Sequence, residues 1–153
     1  MAVDHGQTLD IKNLISFRKN VPPAELQGHI ERMIHYVESQ GAKKINPGIS
    51  ATYAASDTII DVAVYLPIDK EIPSSEEFVF KPRLYLENCL KINYKGHPVK
   101  LEETMNKLNE YVASNELMPV SVAFVKTIHE VINPDEIELF EVDIYISICL
   151  NEI

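Results

Sequence analysis

A chain of 153 residues with 46% apolar side chains is long enough for one globular domain with its own hydrophobic core. Its 14 basic residues against 23 acidic ones leave a net charge of −9, and the basic residues are scattered, which speaks against direct binding of nucleic-acid phosphates. No basic and apolar leader opens the sequence, and no apolar run approaches the roughly 20 residues of a membrane span. A soluble cytoplasmic protein without membrane contact is expected.

Leu9–Phe17 alternates through Leu9, Ile11, Ile15 and Phe17 and reads as a strand. Leu14 is out of step, so a bulge is expected near Asn13. Pro22-Pro23 suits the first turn of a helix, where the missing N–H does no harm. Leu26, Ile30, Met33, Ile34 and Val37 form its apolar stripe, and Gly41 is placed to end it. Ile49–Ala55 and Thr58–Leu66 are β-rich runs separated by Ser56-Asp57, which predicts a hairpin. Asp69–Pro82 carries prolines, serines and acids and reads as a crossover loop. Leu86–Tyr94 alternates as a strand, and Gly96-His97-Pro98 leads into a second helix with the stripe Leu101, Met105, Leu108 and Val112. Pro119 precedes a strand over Val120–Ile128. Asn133-Pro134-Asp135 is a predicted turn, and Glu138–Ile148 is the last strand.

The order is β-α-β-β, crossover, β-α-β-β: one unit written twice. Val62-Ala63-Val64-Tyr65-Leu66-Pro67-Ile68 matches Val142-Asp143-Ile144-Tyr145-Ile146-Ser147-Ile148, with Tyr65 on Tyr145, 80 positions apart. The helix ends match through Tyr36 and Tyr111, 75 positions apart, so five extra residues enter the second copy downstream, around Pro134. The expected fold is α+β, a single domain over 1–153. Repeat one covers about 8–69, the crossover 70–84 and repeat two about 85–149.

Strand periodicity assigns faces. Phe140, Val142, Ile144, Ile146 and Ile148 should pack under a helix, and Glu141, Asp143, Tyr145 and Ser147 share the other side. In repeat one Val62, Val64, Leu66 and Ile68 oppose Asp61, Ala63, Tyr65 and Pro67. The face away from the helices reads either as an ordinary wet surface or as a groove for a flat, cationic or polar ligand. Glu141 and Asp143, two apart on that face, read as a binding pair or as a solvated strand end with two repelling acids.

Other chemistry lacks a signature. Cys89 and Cys149 have no CxxC companion and are expected as two buried thiols. His29 and His35 lack a same-face ligand spacing, so no metal is expected. His97 is expected to cap its helix or face solvent. No serine sits in a GxSxG setting and no glycine-rich phosphate loop exists, so neither catalysis nor a cofactor is indicated.

Tyr94-Lys95-Gly96-His97-Pro98 followed by Leu101–Asn115 resembles the strand–glycine–helix segment of the gyrase-inhibitor-like, or multidrug-regulator effector-binding, superfamily, which has a SOUL-like fold. Glu141–Ile148 is similar to its closing strand, and Asp61–Asp69, with Pro67, to the matching strand of its first half. The resemblance spans about residues 8–149. It implies a pseudo-symmetric antiparallel sheet with two helices on one face and a ligand groove on the other. Members bind small aromatic or cationic compounds with stacking aromatics and an inward carboxylate. The glutamate of the family's last strand falls on Asp143, its proline on Ser147, and no tryptophan is present.

The resemblance places Asp143 on the groove side with Tyr65 and Tyr145 as walls, while Glu141 stays open between groove and solvent. A stand-alone binding protein for a small organic ligand is the first expectation, since a chain this short holds only the sensing part of a regulator. One alternative is a protein-interaction or accessory module without a ligand, for a gyrase-type or secreted-toxin-associated partner. A second is a hydrolase of reactive small molecules, which requires a tyrosine and a carboxylate to converge on one ligand atom.

Overall fold

Apolar residues recurring every second position form the strands, and the two stripes of helical period form the helices that cover them. The computed structural model describes residues 2–149. In chain order it has β1 (Asp4–Val21), α1 (Leu26–Ser39), β2 (Ile49–Ala55), β3 (Ile60–Pro67), β4 (Val79–Lys95), α2 (Leu101–Ser114), β5 (Phe124–His129) and β6 (Glu141–Ser147). It divides into two compact units, one spanning Asp10–Tyr85 and the other the segments before and after it, with the boundary inside β1 and β4.

In the Asp10–Tyr85 unit β3 is central. It pairs antiparallel with β1, from Leu14 opposite Pro67 to Val21 opposite Ile60, and with β2, from Ile49 opposite Tyr65 to Ala55 opposite Ile60. Met33 and Val37 of α1 close its core over Ile15, Phe17, Val62, Val64 and Leu66. In the other unit β6 is central between β4 and β5, with Lys91 and Phe124 both opposite Tyr145. Leu108 and Val112 of α2 pack there on Leu90, Ile92, Val142, Ile144 and Ile146. The fold is α+β, with the β-α-β-β unit duplicated.

Duplication extends to individual hydrogen bonds. Each helix has 14 residues and follows a single 3-10 turn that begins at Pro23 or Pro98. Asn13 and Asn88, 75 positions apart, both take left-handed backbone, with φ of 55° and 53°. Their carbonyls accept from the amides of Ile68 and Ile148, at 2.9 and 3.2 Å. Asparagine tolerates this conformation, and the kink switches faces so that neighbours Leu14 and Ile15, or Cys89 and Leu90, are all buried. Register breaks at Thr52/Ala54 and Thr127/His129 also correspond.

Both helices end in a Schellman pattern. Ala42 N–H bonds Val37 O and Gly41 N–H bonds Glu38 O; Leu117 N–H bonds Val112 O and Glu116 N–H bonds Ala113 O. The residue after the cap has φ of 77° at Gly41 and 53° at Glu116. Only the first copy has the residue this conformation favours. Glu116→Gly should therefore raise stability by about 1 kcal/mol, and Gly41→Ala should lower it by about as much, as read from urea midpoints.

Several boundaries differ from the sequence reading. Thr58 and Ile59 belong to the hairpin turn, because the Ser56 amide donates to Ile59 O at 2.9 Å and the Ser56 hydroxyl accepts from Ile59 N at 3.1 Å. Val79–Pro82 joins β4, with Val79 O accepting from the buried Ser16 hydroxyl. The expected strand from Val120 begins at Phe124, since the Ser121 hydroxyl takes the Ser147 amide at 3.0 Å. Pro67, the counterpart of Ser147, has no amide to satisfy. The last strand begins at Glu141, because the Asn133 side chain caps a 3-10 helix over Pro134–Leu139, which lies in the predicted insertion. Cys89 is buried as expected, but Cys149 is exposed, one residue past the bridge that Ile148 makes to Pro119.

The crossover is anchored by Glu77, whose carboxylate meets Lys19 at 2.8 Å, the Arg32 guanidinium, and His29 at 3.9 Å. Bonds from Lys19 and Arg32 hold the Glu77 carboxyl below its ordinary value of 4.5. A lowered carboxyl stabilises the fold above that value and loses the contribution as pH falls through the folded-state value. Glu77→Gln should cost about 1 kcal/mol at neutral pH. It should also flatten the acid side of a stability-versus-pH curve measured by urea unfolding.

Candidate functional site

β6 alternates an apolar face toward α2 with a second face carrying Glu141, Asp143, Tyr145 and Ser147. From Asp143 to Ser147 that second face of β6 is buried, with Asp143 8% exposed, Tyr145 6% and Ser147 7%, while Glu141 at its start is partly exposed. Burying a carboxylate requires partners, and β4 supplies them from the same face. The Asn93 amide donates to Asp143 Oδ1 at 2.9 Å and to Glu141 Oε2 at 2.9 Å, so one side chain bridges the acids that would otherwise repel. Lys91 Nζ lies 3.6 Å from Asp143 Oδ2 and 5.9 Å from the centre of the Tyr145 ring. Lys126 on β5 stands opposite Asp143 in the ladder, which puts it on this face too.

Glu141, Asp143 and Tyr145 are therefore neighbours along one strand face, joined through Asn93 and Lys91. Burial raises the Tyr145 phenol pKa, Lys91 opposes that shift, and Asp143 adds to it. The phenol thus stays protonated at neutral pH, a neutral aromatic wall with a hydroxyl handle. The arrangement sets an aromatic ring, an ion-paired carboxylate and a lysine ammonium side by side on this face.

Tyr65 occupies the corresponding strand position in the Asp10–Tyr85 unit, opposite Ser16 and Ile49. It is half-buried, and burial followed by the neighbouring Tyr53 phenol raises its pKa. The Arg18 guanidinium lies 3.8 Å from the Tyr53 ring centre and grips Asp61 with two bonds, at 3.1 and 2.9 Å. Asp143 has no acidic counterpart here, because its position in this repeat is Ala63, also opposite an alanine, Ala51. The carboxylate belongs to the second repeat alone.

Asn93, Lys91, Lys126 and Arg18 were not singled out from the sequence. Period-two spacing on β4 does put Lys91 and Asn93 on one face, but only the pairing register sets them against Asp143 and Tyr145. Tyr53 is exposed beneath the Arg18 guanidinium. Tyr94 is partly buried beside the α2 core and donates to His97 O at 2.5 Å. His97 is a cap, its Nδ1 accepting from Val99 N at 3.0 Å. Among the described residues no helix is long and apolar enough to cross a membrane.

No family model matches the chain, and no curated protein matches it by sequence. Solved structures do match. The EcmrR C-terminal domain aligns with a TM-score of 0.75 at 14% identity, over 97% of this chain and 99% of that one. EcmrR in a DNA complex aligns with a TM-score of 0.78 at 13% identity over 95% of this chain, which spans 57% of the EcmrR chain. SAV2435 bound to tetraphenylphosphonium aligns with a TM-score of 0.56 at 10% identity, over 97% of this chain and 93% of that one. Identities this low establish likeness of fold: the chain shares the fold of the EcmrR C-terminal domain and of SAV2435.

Proposed function

We propose that this chain is one effector-binding domain made of two repeats, which binds a small aromatic cation. Asp143, Tyr145 and Glu141 would make the contacts in the second repeat, and Tyr65 would play the equivalent role in the first. The observation that carries the reading is the buried Asp143 carboxylate beside the Tyr145 ring, on the sheet face away from α2. A carboxylate withdrawn from water next to an aromatic face suits a flat or bulky organic cation better than a hydrated ion. The charge of −9 would also draw cations toward the protein. Tetraphenylphosphonium, the ligand of SAV2435, is a ligand of this chemistry.

Isothermal titration with tetraphenylphosphonium tests the proposal. Saturable binding is expected, weakened about tenfold in Tyr145→Ala by loss of the ring and largely kept in Tyr145→Phe. Tyr65→Ala, titrated separately, tests the first-repeat position. A folded wild-type protein that shows neither heat nor thermal stabilisation with tetraphenylphosphonium and a panel of lipophilic cations would overturn the reading.

A further inference from the structure

We propose that Lys91 is a resident cation of this site, an intramolecular competitor that a cationic ligand must displace and that sets how strongly cations bind. The inference rests on the small-molecule reading above and names a selectivity-determining residue for it. Lys91 Nζ already holds the position a ligand cation would take, 3.6 Å from Asp143 Oδ2 and 5.9 Å from the Tyr145 ring centre. With Lys126 facing Asp143 across the ladder, Lys91 and Lys126 balance Asp143 and Glu141 on this face. An incoming monocation therefore meets a carboxylate whose charge is spoken for.

Lys91 is also built to leave. Its side chain is 28% exposed, against 12% for Asp143, so water is within reach of the ammonium. Lysine is a strongly hydrated point charge on a flexible stem, and here an ion pair of 3.6 Å to Asp143 holds it rather than a forked pair of bonds. The same pairing of cation, tyrosine ring and aspartate recurs in the other unit in a form that does not let go easily. Arg18 over Tyr53 and Arg83 over Tyr85 are each fastened by two bonds, to Asp61 and to Asp10. Among these three clusters the buried carboxylate is the one given a lysine.

The exchange needs no covalent step. The ligand cation replaces the ammonium at Asp143 and over Tyr145, Lys91 swings into water, and Asn93 keeps its bonds to both acids. The observed affinity for a cation is then its intrinsic affinity reduced by the cost of breaking the Lys91–Asp143 pair.

Titration of tetraphenylphosphonium into wild type, Lys91→Met and Lys91→Arg decides the matter, with circular dichroism melts to verify folding. Affinity should rise about tenfold in Lys91→Met and fall in Lys91→Arg, whose forked guanidinium grips a carboxylate more firmly. In wild type, acylation of the Lys91 amine by a succinimidyl ester, followed by mass spectrometry, should quicken when tetraphenylphosphonium is present. This second readout needs no variant to fold. Equal affinities in wild type and Lys91→Met, or a ligand-independent acylation rate, would overturn the role of Lys91 and leave the small-molecule reading intact. Absence of binding in both folded proteins would overturn the two together.

Discussion

Asp143→Asn should weaken tetraphenylphosphonium binding by about tenfold or more, because the 2–5 kcal/mol that typically follows removal of one partner of a buried charge pair is partly offset when Lys91 no longer competes for the site. Asparagine has almost the same shape as aspartate, so its Oδ1 can still accept from the Asn93 amide and the β4–β6 ladder is undisturbed. Lys91 loses its counter-charge but is exposed enough to turn into water. The loss should therefore appear in binding heats and hardly in the melting temperature. A neutral aromatic compound of similar size should lose little in the same variant, which separates the charge from the shape of the site. Unchanged tetraphenylphosphonium affinity in a folded Asp143→Asn protein would remove the carboxylate from the proposed contacts.

Ile144→Ala should lower the stability of the fold by about 3–4 kcal/mol. Ile144 is fully buried, lies opposite Ile92 on one neighbouring strand and Val125 on the other, and packs in the core beneath α2. Flanked on both sides by ladder partners, the site has little room to collapse around the deleted atoms. Val64, the counterpart in the first repeat, is smaller, so Val64→Ala should cost about 2 kcal/mol by the same reasoning. Urea unfolding followed by far-ultraviolet circular dichroism gives both values. A loss below about 1 kcal/mol for Ile144→Ala would mean that the core closes over the gap.

Much of this was legible in local pattern. The alternation in Val62–Ile68 and Val142–Ile148, the prolines before each helix, and the repeated tyrosine all report backbone geometry that a few neighbouring residues dictate. Asn13 is instructive. The broken alternation at Leu14 pointed to an irregularity, and the positive φ there, repeated at Asn88, is its cause. Failures fell where a side chain takes over a backbone partner. The Ser121 hydroxyl on the Ser147 amide delays β5, and the Asn133 cap extends a turn into a 3-10 helix.

The site divides the same way. Periodicity put Glu141, Asp143 and Tyr145 on one strand face and left open whether that face is wet, because alternation says which residues share a side and nothing about what covers it. Their burial, and the Asn93 and Lys91 contacts that make it tolerable, depend on β4 lying beside β6 in one register out of many. The sequence by itself thus determined the length of chain, its acidic charge, the elements and their duplication, all of which follow from composition and short-range spacing. Only the tertiary structure decided that the second repeat holds a buried carboxylate already matched to a cation, since strand partners distant in sequence, Lys91 and Asp143, meet only through the register.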